Sequence, residues 1–283
     1  MSVYVAVIAC QGAEAPLPGA CVAALALPGA GPAQKHATPG FQCAVARTLP
    51  GEPGILADGG LVVAGDVRLD ARADLARALG TTAPPGGSGQ LALLLAAYAA
   101  WGEGAFGRLR GDFSFLLWDA RRRAAFAVRD GLGVRPLYHA EAGGALVVAN
   151  AVDAVRAHPS VRPALNPASV ASFLMHAVNV DPRTTTFDGI GRLAPGTYLA
   201  AGPGVPTTRT SRHWSIPDPA PLRLGCEADY VERYRELLGH AVADRVDPAG
   251  TVVFLSGGMD STSMAAAARR ALPGARLQAL TMR

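Results

Sequence analysis

The residues best suited to chemistry are ten consecutive ones, Phe254-Leu255-Ser256-Gly257-Gly258-Met259-Asp260-Ser261-Thr262-Ser263. Two adjacent glycines let backbone N–H groups turn inward around an anion. A helix expected to begin at Met259 would aim its unpaired N–H groups and the positive end of its dipole at the same point. Ser256 and Ser261 add hydroxyl donors, and Asp260 adds a carboxylate able to hold Mg2+ between phosphates. Together these make a phosphate cradle. The loop has no lysine and lacks the GxxxxGKS/T spacing, so it is not a Walker A loop. The alternative is an ordinary strand-to-helix turn whose Asp and Ser cap the helix.

Other chemistry-bearing residues form no comparable pattern. The six histidines show no HxxxH or HExxH spacing, which speaks against a metal site. Four cysteines (Cys10, Cys21, Cys43, Cys226) include no CxxC pair, which argues against zinc and against a disulfide framework. A reducing cytoplasm is the matching compartment. Among 26 basic residues only one is a lysine, Lys35, so a mechanism that needs a lysine must use Lys35 or take one from elsewhere. Arg121-Arg122-Arg123 is a basic run between two strand-like segments. With a net charge of only +4, it reads as a solvated turn rather than a nucleic-acid contact.

The elements that must position the cradle follow from periodicity. Thr251–Leu255 is a short apolar strand, Met259–Ala271 a helix, and Arg276–Met282 a second apolar strand, which together make a parallel crossover unit. Such strands are apolar throughout because both faces are covered. Two parallel strands do not make a stable domain, so a C-terminally truncated second domain is expected. A helix over Glu227–Arg245 precedes it, with Tyr230, Tyr234, Leu237, Leu238, Ala241 and Val242 on one side. Upstream, strand Leu61–Leu69 leads into helix Ala71–Leu79, and a Gly/Pro/Ser loop follows at Thr81–Gly89. Helix Gln90–Trp101 sets Leu91, Leu94, Leu95 and Tyr98 on one face. Strands are expected at Gly111–Asp119 and Ala124–Arg129, then a pair at Leu137–His139 and Ala145–Ala149. Helix Asn166–His176 has Pro167 in its first turn. The length of 283 residues suits about two domains. A proline-rich stretch gives the expected division: 1–205, a linker at 206–225, and 226–283. With half the residues hydrophobic and 17% charged, the chain is not disordered. No apolar run approaches the ~20 residues of a membrane span. Met1–Cys10 lacks a basic flank and reads as a buried strand rather than a secretory signal.

SGGMDS resembles the SGGxDS pyrophosphate loop of ATP pyrophosphatases, and the resemblance extends to the asparagine synthetase-like family. Gly111–Asp119, GDFSFLLWD, is similar to that family's GDFAFALWD. Arg129–Tyr138, RDGLGVRPLY, is similar to its RDxxGxRPLYY, and Leu193–Gly196 and His213-Trp214 match its LxPG and YW landmarks. The resemblance implies an α/β chain: an N-terminal-nucleophile-hydrolase-like αββα sandwich (an α+β domain), followed by the start of a parallel-sheet ATP-pyrophosphatase domain. It implies ATP and Mg2+ as cofactors. Leu255, Ser256, Gly257, Gly258, Asp260, Ser261 and Met282 would bind ATP or pyrophosphate, and Asp260 would hold the metal. It also places a second carboxylate, a lysine and an acid/base residue in later segments of the family; Lys35 is a poor replacement for that lysine.

Glutamine-dependent members carry Cys at position 2 as the nucleophile, with the free α-amine as base. This chain has Ser2, a weak candidate nucleophile. The family's NGE is replaced by Ala64-Gly65-Asp66 and its GSD by Gly87-Ser88-Gly89, and Arg47 is only a remote substitute for the RGPD arginine. The first domain is therefore expected to be a retained but inactive glutaminase. Gly65-Asp66-Val67-Arg68-Leu69-Asp70-Ala71-Arg72 resembles the GDxRLDxR of lasso-peptide cyclases. Those relatives, like β-lactam synthetases, activate a carboxylate with ATP and let an amine of the same substrate attack it. The resemblance thus implies an AMP-forming amide ligase acting on a precursor peptide or a small amino-acid-like substrate. A leader-binding protein and a leader peptidase would be its partners, with no nucleic acid and no membrane span. An asparagine synthase, glutamine-hydrolysing or ammonia-dependent, and a non-catalytic remnant serving as a binding module are the alternatives.

Overall fold

The computed structural model describes residues 2–10, 15–48, 53–82, 89–218, 220–247, 250–274 and 276–281. The chain divides into two compact units, the first running to Ile216 and the second starting at Pro217.

In the first unit the described elements are β1 (Ser2–Ala9), α1 (Gly19–Ala23), β2 (Gln34–Thr38), β3 (Phe41–Arg47), β4 (Ile55–Asp58), β5 (Leu61–Leu69), α2 (Arg72–Ala78) and α3 (Gln90–Trp101). A 3-10 turn, Gly102–Arg108, leads on to β6 (Gly111–Asp119), β7 (Ala124–Arg129), β8 (Tyr138–Ala142), β9 (Ala145–Ala149), α4 (Val152–Arg156), α5 (Pro167–His176), β10 (Gly191–Arg192), β11 (Thr197–Ala201) and β12 (Arg209–Arg212). They form two six-stranded sheets, ordered β10-β8-β9-β1-β3-β2 and β12-β11-β7-β6-β5-β4. Every pairing in them is antiparallel.

Strand periodicity explains the layers. Alternate residues point to opposite faces of a strand. Tyr4, Ala6 and Ile8 of β1 meet Val62 and Ala64 of β5 and Leu116 and Trp118 of β6 in one buried cluster between the sheets. Val3, Val5 and Val7 of β1 face the other way, against Cys21 of α1 and Ala154 and Val155 of α4. Phe113, Phe115 and Leu117 of β6 pack on Leu75 of α2, Leu94 of α3 and Phe106 of the 3-10 turn. The result is an αββα sandwich, the layering expected for the first domain.

The expected linker begins at 206, whereas β12 pairs with β11 from Thr197↔Arg212 to Ala200↔Arg209. Arg-Thr-Ser-Arg carries no apolar alternation because it is an exposed edge strand held by backbone bonds. Arg209 also anchors it to Glu103 at 2.6 Å. His213 and Trp214 then close onto the same unit, both donating their N–H groups to the Gly196 carbonyl.

In the second unit, α6 (Glu227–Ala243), β13 (Thr251–Phe254), α7 (Met259–Ala271) and β14 (Leu277–Leu280) follow in order. β13 and β14 pair in parallel, Thr251↔Leu277 to Phe254↔Leu280, as the crossover reading requires. α6 packs against α7. Of the apolar side expected on α6, Val242 is buried, while Tyr230, Tyr234 and Leu237 are exposed. Val252, Phe254 and Leu280 of the two strands are exposed as well.

Trp118 stacks on Phe41 between the two sheets, with ring centroids 5.6 Å apart and planes 8° from parallel. Trp118→Ala should lower the stability of the first unit by about 3–5 kcal/mol, the usual cost of emptying such a site. Urea denaturation followed by far-UV circular dichroism measures it. An unchanged midpoint would mean that the sheets do not meet there.

Candidate functional site

Two places gather functional side chains. The first is the loop between β13 and α7. Gly257 adopts a left-handed backbone with φ +83, and a Cβ there would meet nothing within 4 Å, so this position faces open space. The Gly258 N–H donates to Ser256 Oγ at 3.3 Å, and Ser256 Oγ lies 3.3 Å from Ser261 Oγ. Ser261 Oγ donates to the Gly258 carbonyl at 3.2 Å. The first N–H groups of α7 have no carbonyl within the helix to accept them. Leu255 sits at the strand end, its N–H on the Leu280 carbonyl at 2.9 Å and its own carbonyl accepting from Thr281 Oγ1 at 3.0 Å. The structure therefore brings Leu255, Ser256, Gly257, Gly258, Asp260 and Ser261 together. Met282 lies outside the described residues. The donor set suits an anionic polyphosphate, and Asp260, an exposed carboxylate in the first turn of α7, suits a hard divalent cation.

The second place is one end of the sandwich. Asp66, Ser114 and Arg129 stand in register across β5, β6 and β7, and their alternation with Ala64, Leu116 and Ala127 turns them into the space between the sheets. Ser2 and Tyr4 of β1 face them from the other sheet. The Ser2 backbone N–H donates to Asp66 Oδ1 at 3.2 Å, and the other carboxylate oxygen pairs with Arg135 Nη1 at 3.2 Å. Asn150 Nδ2 donates to the Ser2 carbonyl at 2.8 Å, and its Oδ1 accepts the Tyr4 N–H at 2.9 Å. Ser2 is only 3% exposed. Arg47 lies opposite Ser2 on β3 and gives Nη1 to the Pro53 carbonyl at 2.9 Å. Burial pushes the Tyr4 phenol far above its ordinary value.

A nucleophile–base pair needs an open hydroxyl and a nitrogen with a free lone pair. At this end the Ser2 hydroxyl is buried, and the Ser2 nitrogen is a peptide nitrogen following Met1, whose N–H donates to a carboxylate that is already ion-paired. Gly87 and Ser88, which replace two of the family's three GSD residues, lie outside the described residues.

Next to it is a clasp. Arg129 Nε, Nη1 and Nη2 donate to the carbonyls of Arg135 (2.8 Å), Leu193 (2.6 Å) and Gly133 (2.7 Å). The Asp130 carboxylate accepts the N–H groups of Val134 and Arg135, each at 2.9 Å. His213 Nε2 reaches the Arg129 carbonyl at 2.9 Å, and Trp214 fills the room over Gly131, where a Cβ would come within 2.7 Å of its ring. The Arg68 guanidinium bridges Asp70 (2.5 Å) and Asp112 (2.9 Å), so the GDVRLD segment ties the end of β5 to the start of β6. Asp112, Asp119, Arg129 and Asp130 thus hold structure. Asn150 was not singled out by the sequence; its only signal is a polar residue closing the apolar run of β9.

Asp66→Ala should strand the Ser2 N–H and leave Arg135 unpaired, costing about 1–3 kcal/mol. Chemical denaturation of the variant checks this, and a neutral result would show that the pair is solvated. Burial lowers the pKa of His139, His158 and His213 below the ordinary value near 6.5. Folding therefore favours their neutral forms. The stability they contribute is complete above about pH 6.5 and is lost as the pH falls below it. Melting temperatures recorded from pH 8 to pH 5 should drop on the acid side, and His213→Phe should flatten part of that slope.

A family model described as a glutamine amidotransferase domain matches residues 87–214, and a second, described as asparagine synthase, matches residues 233–283. The chain is 28% identical over 180 residues to asparagine synthetase [glutamine-hydrolyzing] 3 of Bacillus subtilis strain 168, which covers 62% of this chain and 28% of that protein. It is 34% identical over 185 residues to the amidase chry2 of Gibberella zeae, covering 63% and 26%. It is 31% identical over 217 residues to a putative asparagine synthetase [glutamine-hydrolyzing] of Mycobacterium tuberculosis, covering 72% and 32%. The chain thus spans between a quarter and a third of the length of these relatives. With one model lying on the sandwich and the other on the phosphate-loop unit, the chain belongs to the asparagine synthetase-like family.

Proposed function

We propose that this chain is part of an ATP-dependent, AMP-forming amide ligase that takes no ammonia from glutamine and closes a macrolactam on a ribosomal peptide. The observation that carries the reading is the Ser2–Asp66–Arg135 arrangement, a buried and hydrogen-bonded end where a glutaminase needs an open nucleophile. A ligase without an ammonia supply needs a substrate that brings its own amine.

In this reading Ser256, Ser261 and the N–H groups at the start of α7 hold the β- and γ-phosphates, with Gly257 and Gly258 giving them room. Asp260 would hold Mg2+, which supplies charge neutralisation on the phosphates. A substrate carboxylate attacks the α-phosphorus and pyrophosphate leaves. The peptide's amine then attacks the activated carbonyl and AMP leaves, so the product is lighter than the substrate by one water. The loop's donors serve catalysis by meeting charge that grows on the phosphates as the bond breaks. A precursor peptide, a leader-binding protein, a leader peptidase and a cytoplasmic setting complete the proposal.

The test supplies full-length ligase with ATP, Mg2+ and candidate peptides whose Asp or Glu side chain lies within reach of the N-terminus. AMP, pyrophosphate and a product lighter by one water are expected. Asp260→Asn should cut AMP formation at least about 100-fold, while Ser2→Ala should leave it unchanged. Release of ADP would sink the reading. Asparagine formed from aspartate, with glutamate released from glutamine, would establish the synthetase alternative.

A further inference from the structure

A cleft of about 790 Å3 opens between α3, the β4–β5 hairpin and the turn joining β6 to β7. It lies at the far end of the sandwich from Asp66. Leu61 lines the cleft while Asp66 is five residues further along the same strand, about 17 Å away at the rise of a strand. The volume falls in the range of small-molecule sites.

Its walls are apolar for a reason visible in α3. The helix reads Gln-Leu-Ala-Leu-Leu-Leu-Ala-Ala-Tyr-Ala-Ala-Trp and has no charged residue. A surface helix ordinarily turns a polar face to water. Here Leu91 and Leu94 are buried on the sheet side, while Ala92, Leu95, Ala96 and Ala99 line the cleft. Leu56 and Leu61 form the opposite wall.

The polar groups gather at one end. Asp119 is satisfied: it accepts the N–H groups of Arg121 and Arg122 and the Tyr98 hydroxyl. Arg122 is held by Glu103 and Tyr98. The Arg121 guanidinium, at the same rim, has no partner among the described residues. Asp58 lines the hairpin side. An apolar concavity with an uncommitted guanidinium at its mouth matches a ligand with an apolar body and one carboxylate.

We propose that this cleft is a binding site for a small apolar carboxylate, an aryl- or alkyl-alkanoate, whose headgroup pairs with Arg121 and whose body lies along α3. It is separate from the phosphate loop and does not depend on the ligase reading.

The test uses two probes that share a body and differ in head, 4-phenylbutyrate and 4-phenylbutylamine, titrated into the protein by saturation-transfer NMR and calorimetry. The carboxylate should bind saturably and the amine should not. Arg121→Glu should weaken the carboxylate at least tenfold and bring the amine into binding. Ala96→Trp, at an exposed helix position, should abolish binding of the carboxylate while the circular dichroism spectrum and melting temperature stay as in the parent. Absence of saturable binding overturns the proposal. So does equal binding of the two probes, or binding that survives both substitutions.

Discussion

One buried guanidinium organises the end of the sandwich where its polar residues meet. Arg129 stands at the end of β7, in the apolar space between two sheets, and a charge there is tolerable only if its donors are met. They are met by three carbonyls drawn from the turn that follows and from the LxPG segment far along the chain. Asp130 fixes the same turn from the opposite sign, taking two of its N–H groups. Gly196 gives its N–H to the Asp130 carbonyl and accepts those of His213 and Trp214, while Trp214 closes over Gly131 and Pro195 over Gly133. The RDGLGVRPLY, LxPG and His-Trp landmarks are, in this chain, the parts of one clasp.

That clasp sets the position of Arg135, and Arg135 decides what Asp66 does. A carboxylate facing the N-terminal strand could bind the amine of a small substrate. Paired with a guanidinium and accepting the Ser2 N–H, it instead completes a closed polar layer over the core. The phosphate loop has the opposite character. Its donors are exposed, its glycines leave room, and its hydroxyls bond mainly to one another and to nearby carbonyls. One end of the chain's chemistry is filled, and the other is open.

The two places differ just as much in how far the amino-acid sequence reveals them. The phosphate loop is legible because its residues are contiguous: the cradle is a property of ten neighbours and one helix start. The core strands are legible for a similar reason. β6 and β7 are apolar runs punctuated at both ends, and α3 spans Gln90–Trp101, the residues read as a helix from their apolar spacing. The edge strands are not. Gln-Lys-His-Ala-Thr of β2 and Arg-Thr-Ser-Arg of β12 are polar because one side of each faces water, so their strand character comes from the neighbour they pair with. Asp66 and Arg135 are 69 positions apart, and Asn150 reaches back 148 positions to Ser2. No local pattern records such meetings. In the second unit, strands read as covered on both faces carry exposed Val252, Phe254 and Leu280, since apolar character in a strand states a demand for cover without naming what supplies it.

The position of the single lysine has a practical side. Lys35 lies exposed on β2, the outer strand of its sheet, where a charged side chain discourages pairing with a neighbouring edge. Every other basic side chain that could carry a long flexible amine is a guanidinium. These 283 residues therefore offer acylating reagents one side-chain primary amine, distinct from any α-amine, at a known strand on a known face. A fluorophore or a surface tether attached there would report on the sandwich from a single place and leave the arginine clasp and the phosphate loop chemically untouched.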